Sequence, residues 1–210
     1  MKDITEIIQR TKRAPWAPTY EPIQTYAFGH HFRSRTEARW ASFFSSASIR
    51  WEYEKEGLEL GGGLRYLPDF WLPDQDCWVE IKGAPPTEEE IRKAALYAEA
   101  SMKRVLVFYG PIPRTIDNHG PAESSSALMF GPGCCCDDTY AWCECPQCSA
   151  LGIEFQARTD RLPCKHGGAC ERTHSGDRGH NGNTWRLLHA YQVARHCRFD
   201  NSDRPVLGKN

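Results

Sequence analysis

The sequence predicts an α/β fold whose elements run helix, three strands, helix, strand, followed by a small cysteine-rich C-terminal lobe. Three observations carry this prediction. Ser34-x-x-Glu37 and Thr87-x-x-Glu90 both fit a capping box, and each opens a run with apolar residues at helical spacing. Between them, residues 64–72 and 77–82 are two aromatic-rich runs separated by Pro73-Asp74-Gln75-Asp76, which is turn chemistry and makes the pair a hairpin. Beyond the second helix, residues 104–109 (Arg-Val-Leu-Val-Phe-Tyr) form a continuous apolar strand of the kind buried on both faces of a sheet.

The composition is globular: of 210 residues, 40% are hydrophobic and 25% charged, which is enough to bury a core. No apolar run approaches the roughly 20 residues needed to cross a bilayer, so no membrane segment is expected. Met1-Lys2-Asp3-Ile4-Thr5 lacks the apolar stretch of a secretory signal, which makes the cytoplasm the expected compartment. The net charge of −1 gives no support to a nucleic-acid partner at the level of the whole chain, although local charge can still supply one.

In order, residues 1–22 read as an N-terminal arm, with Ile4, Ile7 and Ile8 on a short amphipathic piece followed by Pro15, Pro18 and Pro22. Residues 23–114 form the core domain. Its first segment, 23–32, is aromatic, a strand or a loop, and ends in His30-His31, read as solvated loop residues. The first helix carries Ala38, Trp40, Ala41, Phe43, Phe44 and Ala47. Glu37 shares a face with Trp40, Ala41 and Phe44, and a carboxylate at the margin of an apolar face needs a partner beyond capping. Residues 49–54 alternate as a strand, and Gly61-Gly62-Gly63 is a turn without the pattern of a phosphate loop. Residues 115–141, rich in Gly, Pro and Ser, read as a linker or loop. Residues 142–210 form the C-terminal lobe, closing with a helix over 184–199.

The hairpin carries the chemistry. Alternation along a strand puts Glu80 and Lys82 on one side of residues 77–82, and the turn can bring Asp69 near Glu80. Converging carboxylates repel, and a divalent cation is a usual resolution. Hard oxygen ligands suit magnesium, which is often held by one or two carboxylates plus substrate phosphate. A lysine at the same point can orient water or steady charge building on phosphorus. Asp69, Glu80 and Lys82 are therefore the minimum set for metal-assisted phosphodiester hydrolysis, whereas the plain alternative is a cross-strand salt bridge on an exposed hairpin. Arg33, Arg35 and Arg39 surround the start of the first helix, whose N-terminus itself attracts phosphate, and are candidates to position a DNA backbone. Trp51, Trp71 and Trp78 read as core rather than as base-stacking platforms.

Pro68-Asp69, a spacer of ten residues and Glu80-Ile81-Lys82, preceded by the helix bearing Glu37 and followed by a helix and a buried strand, resembles the PD-(D/E)xK nuclease superfamily. The resemblance covers about residues 33–110 and implies a restriction-endonuclease-like core acting on DNA. It implies that Asp69, Glu80 and the carbonyl of Ile81 bind Mg2+, with Glu37 as an auxiliary ligand. It gives Lys82 the attacking water to position or deprotonate; neighbouring carboxylates favour its charged form, which points to the positioning role. A polar residue on the following helix, Lys93 or Tyr97, is a further candidate to contact substrate. A homodimer is a candidate assembly for cutting both strands of a duplex, which the sequence leaves open.

Eight of the ten cysteines lie between Cys134 and Cys170. In a reducing compartment such crowding reads as metal ligation. Cys145-x2-Cys148, a gap of fifteen residues and Cys164-x-His166-x3-Cys170 have the spacing of a zinc ribbon. The fourth ligand is Cys170 or His166, with Cys143 as a competitor, while Cys134-Cys135-Cys136 is too crowded for all three to bind one ion. Zn2+ there would be structural, a staple for a lobe with few large apolar residues. Cys77 and Cys197 read as ordinary buried thiols. A reading from another class makes the chain a non-catalytic nucleic-acid or protein-binding adaptor whose zinc lobe is the working part.

Overall fold

The computed structural model describes residues 4–11, 21–112, 116–117, 120–121, 126–138, 140–145, 148–155 and 184–199. Their order is α1 (Ile4–Thr11), β1 (Thr25–Ala27), β2 (His30–Phe32), α2 (Arg35–Ser46), β3 (Glu52–Tyr53), β4 (Leu58–Glu59) and β5 (Arg65–Tyr66). There follow β6 (Phe70–Leu72), β7 (Cys77–Lys82), α3 (Glu88–Ser101), β8 (Arg104–Tyr109), β9 (Ile116–Asp117) and β10 (Gly120–Pro121). The last elements are β11 (Ser126–Gly131), β12 (Cys134–Asp138), β13 (Tyr140–Glu144), β14 (Leu151–Phe155) and α4 (Trp185–His196). Six of the strands form one sheet in the order β12-β11-β8-β7-β6-β3. Its pairings are antiparallel except for β7 with β8, which run parallel around the α3 crossover.

The sheet is covered on both sides, because its central strands are apolar on both faces. Cys77, Val79 and Ile81 of β7 and Leu106 and Phe108 of β8 face one core with Trp40, Phe43 and Phe44 of α2 and Leu187 and Tyr191 of α4. Trp78 of β7 and Val105 and Val107 of β8 face a second core with Ile91, Ala94, Tyr97 and Ala98 of α3 and Ile7 and Ile8 of α1. The helix α2 buries Ala38, Trp40, Ala41, Phe43 and Phe44 because it lies between two partners. The Trp40 ring is 5.0 Å from Phe108 of the sheet and Phe43 is 4.5 Å from Tyr191 of α4. Both helix starts form as the sequence predicts. Ser34 accepts from the Glu37 N–H, and Thr87 and Glu90 make a complete capping box.

Several boundaries differ from those read in the sequence. Residues 64–72 are two strands, not one, because Pro68 has no N–H to continue the ladder. The first, β5, pairs instead with β4 around Gly61, Gly62 and Gly63, all at positive φ. The strand expected over 49–54 keeps only Glu52–Tyr53 in the sheet, since Glu54 turns into the left-handed region at φ 45°. His30 and His31 are strand residues, and His30 lies 5.5 Å from the Trp51 ring rather than in a solvated loop. Of the three tryptophans, Trp78 is buried and Trp51 and Trp71 pack at the margins of the two cores.

The division into arm, linker and lobe is corrected as well. The α1 part of the arm is docked, with Ile7 and Ile8 buried by its amphipathic face; residues 12–20 lie outside the described residues. The stretch read as a linker over 115–141 holds β11 and β12, two strands of the main sheet. Ala127, Leu128, Met129 and Phe130 are a buried apolar run, and Pro132-Gly133 is their hairpin turn. The described part of 142–210 is no separate lobe, because Trp142, Leu151, Ile153 and Tyr191 are buried in the same core as α2.

Candidate active site

Register brings the two hairpin carboxylates together. Phe70 pairs with Val79, Trp71 with Trp78 and Leu72 with Cys77. Continuing that antiparallel pairing by one step sets Asp69 opposite Glu80, where the side chains of neighbouring strands meet. The turn closes by Gln75 N–H donating to the Leu72 carbonyl at 3.2 Å, with Asp76 at φ 49°. Asp69 and Glu80 are 2% and 5% exposed, so two acidic groups share a nearly dry place.

Each oxygen can be followed. Asp69 Oδ2 accepts the Ile81 N–H at 2.7 Å, and Oδ1 accepts Arg33 Nη2 at 2.6 Å. Glu80 Oε1 pairs with Lys82 Nζ at 2.8 Å, and Lys82 also pairs with Glu90 Oε1 at 2.9 Å. Glu80 Oε2 is buried without a hydrogen bond of normal geometry. Arg33 has a second partner, Nε lying 3.0 Å from Glu54 Oε1. Glu90 is thus shared between the α3 cap, where its Oε2 accepts the Thr87 N–H at 2.7 Å, and the lysine of the site.

Electrostatics follow from that geometry. Burial raises the Asp69 carboxyl well above the ordinary carboxylate range, and repulsion from Glu80 and Glu37 adds to it against Arg33 and the Ile81 N–H. Burial raises Glu80 too, opposed chiefly by Lys82 and further by Arg33 and the Tyr66 hydroxyl. For Lys82, burial works against the charge, but Glu80 and Glu90 outweigh it and raise the ammonium above its usual range. Lys82 is therefore a fixed positive charge at neutral pH, suited to orienting water or steadying an anion and unsuited to taking a proton.

The donor set fits a hard divalent cation: two adjacent buried carboxylates, one of them with an oxygen that makes no hydrogen bond of normal geometry, where β6 begins and β7 ends and the Ile81 main chain is close by. Glu37 stands apart from that pair. Its Oε2 accepts the Tyr53 hydroxyl at 2.8 Å and the Arg33 N–H at 3.0 Å. Among the described residues no three His, Cys, Asp or Glu side chains are grouped to hold a metal ion. Glu37 also supports the chain at Arg33, because a tyrosine on β3 and a main-chain donor both bond its Oε2.

The other candidates fall outside this cluster. Lys93 pairs with Glu89 on its own helix at 2.6 Å. Tyr97 is core, its hydroxyl donating to the Glu56 carbonyl at 2.9 Å, and burial pushes its phenol up to about 12. Arg35 and Arg39 are half-buried, and the Nε of each is buried without a partner. Tyr53, Glu54, Tyr66 and Glu90 belong to the site's surroundings and were not singled out by the sequence for this role. Glu90 alone carried a signal, as the acidic member of a capping box.

The cysteines divide in the same way. Cys145 is buried and Cys148 half-buried on the loop between β13 and β14, where Ser149 N–H donates to the Cys145 carbonyl at 2.9 Å and Cys145 N–H to Ala150 at 2.9 Å. The Cys143 thiol is turned to the Gly152 carbonyl at 3.7 Å. The main chain of Cys134, Cys135 and Cys136 belongs to β12. Cys164, His166 and Cys170 lie outside the described residues. Cys77 is a buried thiol that burial pushes up to about 12, and Cys197 is half-buried, donating to the Ala194 carbonyl at 3.2 Å.

Among the described residues no helix is long and apolar enough to cross a membrane. Comparison with protein-family models, curated proteins and solved structures finds no match to this chain.

Proposed function

We propose that the chain is a magnesium-dependent nuclease of the PD-(D/E)xK type that hydrolyses DNA phosphodiester bonds on a restriction-endonuclease-like core. The observation that carries this reading is the pairing of buried Asp69 with buried Glu80, whose Oε2 makes no hydrogen bond of normal geometry, beside a charged Lys82. Burying two carboxylates is unfavourable unless a cation compensates them, and a chain that needed only a stable hairpin would be better served by apolar residues there. Asp69 and Glu80, with the Ile81 carbonyl, would hold Mg2+, which when bound supplies Lewis-acid polarisation of a phosphate oxygen and an activated water. Lys82 keeps its proton and holds positive charge where the attacking water and the phosphate meet. Tyr66 and Glu90 fix Glu80 and Lys82, while Glu37 and Tyr53 fix the main chain at Arg33.

A second reading, an adaptor in which Arg33 and Lys82 merely neutralise buried acids, is favoured by the ion pairs themselves. Incubation of the purified chain with single-stranded, duplex and branched DNA separates the two. Cleavage of at least one form with Mg2+ and none in EDTA is expected, and intact DNA in every form would overturn the nuclease.

The cysteine loop carries a separate proposal, a structural zinc held by Cys145 and Cys148 with Cys164 and either Cys170 or His166. Metal analysis of freshly purified protein should find about one zinc per chain, lost in the Cys145→Ser, Cys148→Ser double variant. Zinc-free protein would remove this site.

A further inference from the structure

Arg33 sits where a cation would sit. Its Nη2 is 2.6 Å from Asp69 Oδ1, the oxygen left after Oδ2 has taken the Ile81 N–H. The two partners differ sharply in exposure: the Arg33 side chain is 53% exposed and that of Asp69 3%. The guanidinium thus reaches into the site from solvent and can return to it without unpacking the core.

The main chain of Arg33 is fixed independently of its head. Its N–H donates to Glu37 Oε2 at 3.0 Å and to the Tyr53 hydroxyl at 3.2 Å. The second head contact, Nε to Glu54 Oε1 at 3.0 Å, uses a carboxylate that is itself one-third exposed. The stem is held at one end of β2, and the head bridges one buried and one wet carboxylate.

We propose that Arg33 is a built-in counter-ion of the metal site, seated on Asp69 in the metal-free chain and displaced toward solvent when a divalent cation binds. The proposal rests on the reading of Asp69 and Glu80 as a divalent-cation site. A guanidinium cannot lose its own proton in the working pH range, so it occupies Asp69 Oδ1 as a fixed positive charge. It then yields because a divalent ion places two charges against one on the same oxygen, while water and Glu54 receive the released head. The exchange lowers the apparent affinity of the free chain for the cation. Lys82 is tied to Glu80 and Glu90 and is only 27% exposed, so it lacks this freedom.

Nuclear magnetic resonance of the metal-free protein titrated with Mg2+ reads the displacement directly. The Arg33 Nη–H signals, identified by their absence in Arg33→Lys, should move to the solvent-exposed position with the same midpoint as the Ile81 amide. Calorimetry should show Mg2+ binding about fivefold tighter in Arg33→Gln, the equivalent of a lost ion pair of about 1 kcal/mol. Arg33→Lys, which keeps the charge but not the fork, should also bind more tightly than wild type. An Ile81 amide that shifts at saturating Mg2+ while the Arg33 signals stay in place would overturn the counter-ion and leave the metal site standing. So would Mg2+ binding in Arg33→Gln that is no tighter than in wild type. If neither signal moves and no variant binds Mg2+, the metal-site reading fails and the counter-ion with it.

Discussion

Lys82→Ala is expected to slow magnesium-dependent DNA cleavage by about 100- to 1,000-fold, the usual effect of removing one preorganised charge from a reacting centre. Its affinity for Mg2+ should be unchanged or higher. The ammonium is bonded to Glu80 at 2.8 Å and Glu90 at 2.9 Å, so its removal leaves the Asp69 and Glu80 ligands in place and takes a competing positive charge away. Because those carboxylates raise Lys82 above its usual range, the wild-type rate should show no inflection from a lysine losing its proton near neutral pH. Initial rates on one labelled oligonucleotide, measured across Mg2+ concentration and pH, check both points. A Lys82→Ala enzyme with an unchanged maximal rate, or with a deficit confined to metal affinity, would exclude the charge as the source of acceleration.

Trp142→Ala is expected to destabilise the whole protein by about 3–5 kcal/mol, the range for truncating a buried aromatic side chain. That is a large share of the stability of an ordinary domain. Trp142 is 1% exposed, and its ring lies 5.7 Å from Phe43 and 6.0 Å from Phe44, both on α2. The cavity would therefore open beside the helix that begins at the candidate site. Chemical denaturation followed by tryptophan fluorescence and by helical circular dichroism should show one transition, shifted in the variant. Loss of an early, small transition with the main one unmoved would mean that β13, β14 and α4 fold as a separate lobe.

The elements most legible in the sequence were those specified locally. The N-cap Ser34 and the capping box of Thr87 and Glu90 mark their helix starts locally, although Glu37 turns to the Arg33 N–H and Tyr53 instead of closing a box, and residues 104–109 announce a central strand by composition alone. Asp69 and Glu80 were legible as a pair because a four-residue turn leaves few ways to fold the hairpin back. What stayed hidden depends on contacts distant in sequence. Arg33 reaches Asp69 across 36 residues, and nothing in Phe-Arg-Ser-Arg tells which arginine turns inward. Glu37 looked like a third ligand by its place on α2, but the left-handed turn at Glu54 ends β3 so that Tyr53 supplies its partner. Within 115–141, residues 126–138 read as linker in the sequence because serines precede them and a Gly-Pro-Gly tripeptide interrupts them. Four consecutive apolar residues are too short a signal to outweigh that texture until β8 is there to pair with. Trp142 and Tyr191 are far apart in sequence and both pack on Phe43 of α2.

The most direct test of the Asp69–Glu80 pair as a catalytic metal site is DNA cleavage in Mg2+ by wild type and Asp69→Asn, with thermal denaturation run on the same samples. Asparagine keeps an acceptor for the Ile81 N–H and removes the negative charge. The expected result is a folded variant whose cleavage falls by at least about 100-fold at any Mg2+ concentration. Equal cleavage by the two folded proteins would contradict the proposed site.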